Sequence, residues 1–225
     1  MPEQAFQGIE LLPDATSAKQ LFVLLHGLGA RAADLLPLAE KFRTVFPGAA
    51  FVLLDGTFPY DGGGTGRQWF SIRGVTDETR PARVAAALPA LQAQIRQAQE
   101  RCDVLPAQTA LVGFSQGAIM ALEFSALHDG GVGRVLAFSG RYARLPDKAP
   151  ESTTLHLLHG AVDQVIPVSH ADAAYQRLMS LQGDATLDIA SSVGHEIHDE
   201  LAARAINRLQ TCIPLRTWKQ AMDNG

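Results

Sequence analysis

The sequence predicts an α/β fold, with one domain of 225 residues built on a mainly parallel β-sheet that carries helices on both faces. Apolar runs of strand length alternate with amphipathic helical runs along most of the chain, which is the pattern of successive βαβ units. The strand runs are apolar throughout rather than alternating, as expected of strands that are buried on both faces. In residues 109–124 a strand pattern changes to a helical pattern at G-F-S-Q-G. Ser115 lies at that change.

The elements follow from apolar spacing and from the residues that end each run. Residues 8–12 predict an edge strand, and residues 20–27 form an apolar run that ends in glycine. Residues 31–46 place apolar side chains on one helical face and stop at Pro47. The later elements, in order, are a strand at 50–55, a glycine-rich loop at 56–70, a helix at 79–101, the strand and helix of 109–124, strands at 134–138 and 154–158, a helix at 168–181, a strand at 185–190, a helix at 196–210 and a C-terminal tail at about 213–225 that is expected to pack loosely.

Composition and charge make several classes of partner unexpected. The chain is 47% apolar and 19% charged, as in ordinary globular domains, and its net charge of −4 leaves no basic stripe for nucleic acid. No run reaches the roughly 18 apolar residues of a membrane span, and the first residues lack the basic and apolar regions of a signal peptide. A cytoplasmic protein without stable membrane association is therefore expected. Cys102 and Cys212 are interpreted as reduced thiols, and the oligomeric state is left open, with a homodimer as one option.

The G-x-S-x-G pattern around Ser115 is that of a nucleophile elbow. Gly113 and Gly117 leave room for a tight turn that holds the serine in a strained conformation, with its hydroxyl clear of the backbone. The motif alone is a weak signal, but a buried strand before it and a helix after it are the context that the motif requires. The alternative is a structural turn that happens to carry serine.

A serine nucleophile needs a base and an acid that orients the base, and candidates for both follow strands of the predicted sheet. His195 follows the strand at 185–190, behind a glycine, and histidine is the side chain that titrates near neutral pH. Asp163 lies in a turn after the strand at 154–158, where a carboxylate can fix the tautomer of the histidine. Loops that follow parallel strands meet at one edge of the sheet, where ligands bind. The order Ser115, Asp163, His195 is that of an α/β-hydrolase triad.

Other histidines and acids are weaker candidates. His198 is expected about one turn into the last helix, and H-E-I-H lacks the i, i+4 histidine spacing of a zinc site. His26 and His159 are more typical of buried structural histidines. The rival acids fall on a helix surface, in a turn and within a strand, and they are Asp172, Asp184 and Asp188. No cluster has metal-ligand spacing, so neither a metal nor a cofactor is expected.

Two backbone N–H groups are candidates for an oxyanion hole, which acyl transfer requires. The N–H of Gln116 follows the nucleophile, at the positive end of the next helix. The loop H-G-L-G-A offers the N–H of Leu28, because Gly27 and Gly29 allow that group to turn toward the site, as in the H-G-G-G loop of esterases. A plain turn at the end of a strand is the alternative for this loop.

Four motifs, H-G-L-G, G-F-S-Q-G, H-G-x-x-D-x-V-I-P and G-H, resemble those of the carboxylesterase/phospholipase family, which includes the acyl-protein thioesterases. Residues 66–76 (G-R-Q-W-F-S-I-R-G-V-T), together with G-F-S-Q-G-A-I-M, F-S-G-R-Y-A-R-L-P and T-L-D-I, are more similar to the bacterial YpfH-type serine esterases. Ala118 stands where the wider family usually has another glycine, inside the helix and away from the chemistry. The resemblance implies an α/β-hydrolase that acts as an esterase or thioesterase on modest acyl substrates.

The resemblance also implies roles for particular residues. Trp69 and Phe70 match loop aromatics of the family, which either wall an acyl pocket or belong to the core. The implied site consists of Ser115, Asp163 and His195 as the catalytic triad, the backbone N–H groups of Leu28 and Gln116 as the oxyanion hole, and Trp69 and Phe70 as candidate substrate-binding residues.

No lid domain is expected over this site. A lipase lid needs an inserted apolar helix, but residues 139–153 are polar and twice interrupted by proline. Residues 56–69 are rich in glycine, which suits a mobile rim. The sequence therefore predicts a serine carboxylesterase that hydrolyses dissolved short- to medium-chain acyl esters through an acyl-enzyme on Ser115, with thioesters left open. The alternative is a non-catalytic protein of the α/β-hydrolase fold that binds small molecules.

Overall fold

A seven-stranded sheet forms the centre of the fold in a computed structural model that describes residues 8–14 and 17–223. Within those ranges the strands are β1 (Gly8–Leu11), β2 (Gln20–Leu25), β3 (Ala49–Leu54), β4 (Phe58–Pro59), β5 (Arg67–Gln68), β6 (Thr109–Phe114), β7 (Arg134–Phe138), β8 (Thr154–Gly160) and β9 (Ala185–Ala190). The α-helices there are α1 (Leu36–Val45), α2 (Arg80–Cys102), α3 (Gln116–Leu127), α4 (Ser169–Ser180), α5 (Asp199–Thr211) and α6 (Leu215–Asp223).

The strand order of this sheet is β1-β3-β2-β6-β7-β8-β9. β1 pairs antiparallel with β3, and every other neighbouring pair is parallel. The predictions of a mainly parallel sheet and of an edge strand at residues 8–12 are therefore confirmed. Because the parallel strands run in one direction, the loops after β2, β6, β8 and β9 all leave the same edge of the sheet.

Side chains of each central strand alternate between two hydrophobic cores, one on each face of the sheet. In β2, Leu21, Val23 and Leu25 pack on the face that α2, α3 and α4 cover. Phe22 and Leu24 pack on the opposite face, which α1 and α5 cover. This burial on both faces explains why the strand sequences are apolar without alternation.

Two helices begin later than their sequence patterns predict. The chain forms a 3₁₀ helix at Ala32–Leu35 before α1 begins. Pro37 lies in the first turn of α1, where a backbone N–H would have no partner within the helix, so the lack of that N–H costs no hydrogen bond. The last predicted helix, α5, begins at Asp199, and His198 is its N-cap, with an imidazole nitrogen that accepts from Glu200 N–H at 3.2 Å. The prediction that His198 lies one turn into this helix is wrong.

The glycine-rich loop of residues 56–70 contains an antiparallel hairpin of β4 and β5. The hairpin is fixed to the loop after β2, because Gly29 N–H donates to Arg67 O and Arg67 N–H donates to Ala30 O, each at 2.9 Å. The sequence predicts a mobile rim here, and the structure shows that this rim contains the short paired strands β4 and β5.

The C-terminal tail forms α6, whose first turn meets the amino end of the sheet while Trp218 and Met222 are 57% and 73% exposed. Arg216 Nη1 donates to Thr154 Oγ1 at 3.0 Å, and Leu215 N–H donates to Asp184 Oδ2 at 2.9 Å. By contrast, the connection at residues 139–153 contains no helix or strand, as predicted for a chain without a lid.

Candidate active site

Ser115 lies in the sharp turn between β6 and α3. Its backbone has φ 52° and ψ −114°, which non-glycine residues rarely adopt, and its N–H donates to Phe138 O at 2.9 Å. A Cβ atom at Gly113 would lie 2.4 Å from Gly117 O, and one at Gly117 would lie 2.2 Å from Leu25 O. Glycine is therefore required at both positions, since β6, α3 and the end of β2 approach one another this closely.

The structure brings the three predicted triad residues into one hydrogen-bonded series. His195 Nε2 lies 2.9 Å from Ser115 Oγ, and His195 Nδ1 lies 2.7 Å from Asp163 Oδ2. The carboxylate can only accept, so Nδ1–H donates to Asp163 and the Nε2 lone pair faces the serine hydroxyl. Ser115 follows β6, Asp163 follows β8 and His195 follows β9, so three separate strand ends supply the series.

Asp163 is a buried carboxylate that is ionised at neutral pH. Its Oδ1 accepts from the N–H groups of Val165 and Ile166 at 2.8 and 2.9 Å, while Oδ2 accepts from His195. Burial alone raises the pKa of Asp163, but the hydrogen bonds from His195 and from the two backbone N–H groups outweigh it, and the pKa lies below its ordinary value. The charge that would stabilise a protonated His195 is thus in place.

His159 and His26 are structural histidines, as the sequence predicts. His159 Nε2 donates to Ile166 O at 2.7 Å and lies 3.4 Å from Asp163 Oδ2. Burial lowers the pKa of His159, so its imidazole is neutral and leaves the charge of Asp163 uncompensated. His26 is fully buried, and its Nε2 accepts from Gly56 N–H at 2.9 Å.

The two candidate oxyanion donors occupy equivalent places beyond neighbouring strands. The last residue pair between β2 and β6 joins Leu25 to Gly113, and Leu28 and Gln116 each lie three residues farther along. Gly29, with φ 75°, allows the loop to turn directly after Leu28. The Leu28 N–H donates to no group in the described part of the chain, and the Gln116 N–H belongs to the unpaired first turn of α3. Both groups are therefore available to a ligand oxygen.

The side chain of Gln116 has a role that sequence reasoning missed. Its Oε1 accepts from Trp69 N–H and its Nε2 donates to Phe70 O, both at 2.8 Å. The signal in the sequence was a polar amide inside an otherwise apolar helix, Q-G-A-I-M-A-L. Such an amide is expected to bond buried backbone groups.

Trp69 and Phe70 are both buried, whereas residues that wall an open pocket are partly exposed. Trp69 is 1% exposed, packs in the core between the sheet and α2, and donates from Nε1 to His26 O at 2.9 Å. Of the two roles that the sequence leaves open for Trp69, a pocket wall or the core, this burial favours the core. Phe70 is also buried, and it is one of the residues that line a surface groove beside Phe58 and Ala87.

Two of the rival acids, Asp184 and Asp188, have structural partners elsewhere. Asp188 accepts from Arg208 Nε at 2.8 Å, and Asp184 accepts from the Thr154 hydroxyl at 2.7 Å. Across residues 8–14 and 17–223, no group of three or more His, Cys, Asp or Glu side chains is placed to hold a metal ion. No helix in the same ranges is long and apolar enough to cross a bilayer.

Comparison with known proteins agrees with this geometry. The sequence profile described as Phospholipase/Carboxylesterase matches residues 8–213. The chain belongs to the phospholipase/carboxylesterase family. Esterase YpfH of Escherichia coli (strain K12) is 42% identical to it over 208 residues, which cover 92% of this chain and 89% of that protein.

More distant members of the family include acyl-protein thioesterase 1 of Eremothecium gossypii, which is 26% identical over 217 residues and covers 88% of this chain and 90% of that protein. Among solved structures, the crystal structure of esterase PE8 superposes with a TM-score of 0.83 at 32% identity, over 92% of this chain and 99% of that chain. The family and these relatives make the protein an ester hydrolase, and a serine hydrolase is the type that its site fits.

Proposed function

We propose that the protein is a serine carboxylesterase that hydrolyses short- to medium-chain acyl esters, and thioesters of the same acyl groups, through an acyl-enzyme on Ser115. The observation that carries this proposal is the bonded series from Ser115 Oγ through His195 to Asp163, at 2.9 and 2.7 Å. A non-catalytic binding protein of the same fold, the alternative from the sequence, has no need of this alignment.

In the first half of the reaction, Ser115 Oγ attacks the carbonyl carbon of the ester while His195 Nε2 takes the hydroxyl proton. The carbonyl oxygen becomes an oxyanion, which accepts from the N–H groups of Leu28 and Gln116. Asp163 stabilises the positive imidazolium through Nδ1–H. The tetrahedral intermediate then loses its alkoxide or thiolate, which takes the proton from His195, and the acyl group remains on Ser115.

In the second half, water replaces the alcohol. His195 Nε2 removes a proton from the water as its oxygen attacks the acyl carbon, and the same two N–H groups receive the second oxyanion. Collapse of this intermediate breaks the bond to Ser115 Oγ, which regains its proton from His195. The products are a carboxylic acid and the free enzyme, so no co-reactant other than water is consumed.

The surroundings of the triad support small, dissolved acyl substrates. Val162 and Val165, on either side of Asp163, are 50% and 67% exposed, so apolar surface lies open to water next to the acid. The connection at residues 139–153 contributes no covering helix. Phe70, whose carbonyl oxygen accepts from the side chain of Gln116 next to the nucleophile, is the candidate contact for an acyl chain.

A series of acyl esters and matching thioesters, from acetyl to dodecanoyl, tests the proposal. Wild-type protein and the Ser115→Ala and Ser125→Ala variants are compared, because Ser125 is a buried serine of α3 whose hydroxyl donates to Leu122 O at 2.7 Å. We expect saturable hydrolysis of the shorter esters by wild type and Ser125→Ala, and a loss of about 10⁶ in kcat for Ser115→Ala. Turnover by Ser115→Ala within tenfold of wild type, or no turnover of any ester by wild type, would overturn the proposal.

A further inference from the structure

A chain of buried hydrogen bonds joins the two loops that carry the oxyanion donors. It begins at the Gln116 side chain, which bonds the backbone of Trp69 and Phe70 through Oε1 and Nε2, both at 2.8 Å. It continues through the indole of Trp69, whose Nε1–H donates to His26 O at 2.9 Å. The chain therefore runs from the residue that supplies one donor to a residue two positions before Leu28, which supplies the other.

The sheet alone does not determine how far apart the two donors are. An oxyanion hole works when both N–H groups lie about 2.7–3.1 Å from the same oxygen. Leu28 and Gln116 each lie three residues beyond the last pair that joins β2 to β6, which is Leu25 with Gly113. A backbone segment beyond its ladder needs other contacts to be held at that tolerance.

The segment of residues 67–70 supplies such contacts on both sides of Leu28. Before Leu28, the Trp69 indole holds His26 O. After Leu28, Gly29 N–H donates to Arg67 O and Arg67 N–H donates to Ala30 O, each at 2.9 Å. Trp69 is 1% and Gln116 is 4% exposed, so water does not compete for these bonds.

We propose that Gln116 and Trp69 are positioning residues that hold the two oxyanion donors at the separation that the tetrahedral intermediate requires. The inference rests on the proposed function, since it assigns these side chains to the oxyanion hole of that reaction. Both residues are buried, with Trp69 1% and Gln116 4% exposed, so their side chains are not placed to touch a substrate. Each acts through a backbone N–H group, that of Gln116 itself or that of Leu28. Their loss therefore raises the barrier to oxyanion formation without weakening substrate binding.

Three variants separate this role from a merely structural one. Gln116→Met keeps the approximate volume of the side chain and removes both hydrogen bonds of its amide group. Trp69→Phe keeps an aromatic ring and removes the hydrogen bond to His26 O. Gln99→Met is the matched control, because Gln99 is also buried and also loses two bonds, from Nε2 to Thr109 Oγ1 at 3.1 Å and to Gly131 O at 3.0 Å. Thr109 begins β6, so these bonds lie at the end of the sheet opposite Ser115.

The readout is the ratio of kcat for an aryl butyrate to kcat for its thiono analogue, in which sulfur replaces the carbonyl oxygen. Sulfur is a weak hydrogen-bond acceptor, so the thiono reaction gains little from the oxyanion donors. For Gln116→Met we expect kcat on the oxygen ester to fall about 10- to 100-fold, kcat on the thiono ester to fall less than about threefold and KM to stay within about threefold. Trp69→Phe should lower the ratio in the same direction by about three- to tenfold.

Gln99→Met should leave the ratio at its wild-type value. A folded Gln116→Met variant with a wild-type ratio would overturn the proposal, and if that variant does not fold, the ratio for Trp69→Phe decides by the same criterion. Ser115→Ala, assayed in parallel, separates the two levels. If Ser115→Ala is inactive and the kcat ratios of Gln116→Met and Trp69→Phe equal that of wild type, only the positioning role is overturned. If Ser115→Ala is active, the proposed function itself is overturned.

Discussion

Asp163 and His195 are joined by a 2.7 Å hydrogen bond from Nδ1–H to Oδ2, although 32 residues separate them in the chain. The bond selects the tautomer that leaves Nε2 unprotonated and facing Ser115. Asp163→Asn should therefore lower kcat by about 10⁴ with little change in KM, because an amide does not hold that tautomer or stabilise the imidazolium. Steady-state kinetics on a soluble butyrate ester measure the effect.

Asp188→Asn is the control for this substitution. Asp188 lies on β9 and forms a bidentate pair with Arg208, at 2.8 and 3.1 Å, away from the triad. It should cost stability and leave kcat at the wild-type value. Equal losses of kcat in the two variants would mean that Asp163 has no special place in the reaction.

Stability should depend on pH through His156, a fully buried histidine of β8. Burial, followed by the nearby positive charge of Arg134, lowers the pKa of His156 from 6.5 to about 4. Between these two pH values His156 binds a proton in the unfolded chain but not in the folded chain. The contribution of His156 to the free energy of unfolding is therefore fully present above pH 6.5 and is lost as the pH falls toward 4. The contribution of this one group is about 3 kcal/mol in the free energy of unfolding.

Urea unfolding of wild type and His156→Gln across this range measures that contribution. The stability advantage of wild type over the variant should shrink as the pH falls, since glutamine has no proton to gain. A difference that stays constant from pH 7 to pH 4 would show that His156 does not titrate on unfolding.

Metal chelation should leave activity unchanged. Among the described residues no cluster of His, Cys, Asp and Glu is placed to hold a metal, and both ring nitrogens of His195 are engaged with protein groups. Dialysis against EDTA should therefore leave kcat/KM for a butyrate ester at its starting value. Loss of activity that added zinc restores would contradict a reaction carried by Ser115, Asp163 and His195 alone.

The rate should not increase at a lipid surface. The connection at residues 139–153 contains no helix, and the hairpin of β4 and β5 is hydrogen-bonded to the loop after β2 rather than free to open. Rates on tributyrin, measured through its solubility limit, should follow simple saturation. A several-fold rise when an emulsion forms would indicate a lid that opens on oil.

The sequence predicts those features that depend on local patterns. The central strands are continuous apolar runs, and the elbow is recognisable because Gly113 and Gly117 flank Ser115 within five residues. Asp163 and His195 are predictable as triad residues because each lies in a loop that follows a parallel strand, and such loops converge at one edge of the sheet.

Features that depend on long-range partners were not predictable in this way. The side-chain amide of Gln116 forms hydrogen bonds with Trp69 and Phe70, which lie 47 and 46 positions earlier in the chain. Nothing near Trp69 in the sequence shows whether its indole bonds a buried backbone group or walls a pocket. The place of His198 was missed for a different reason: an imidazole can cap a helix, and the apolar spacing of α5 does not mark its first residue. The contacts of α6 with the sheet come from Arg216 and Leu215, whose partners lie on or beside distant strands.

The central claim is that Ser115 is the nucleophile, and covalent labelling tests it most directly. A fluorophosphonate reacts with an activated serine to give a stable adduct that intact mass spectrometry detects and peptide mapping locates. We predict one adduct per chain, located on Ser115, that appears in step with the loss of esterase activity and is absent from Ser115→Ala. No adduct on an active protein, or inactivation with the adduct on another residue, would contradict the account.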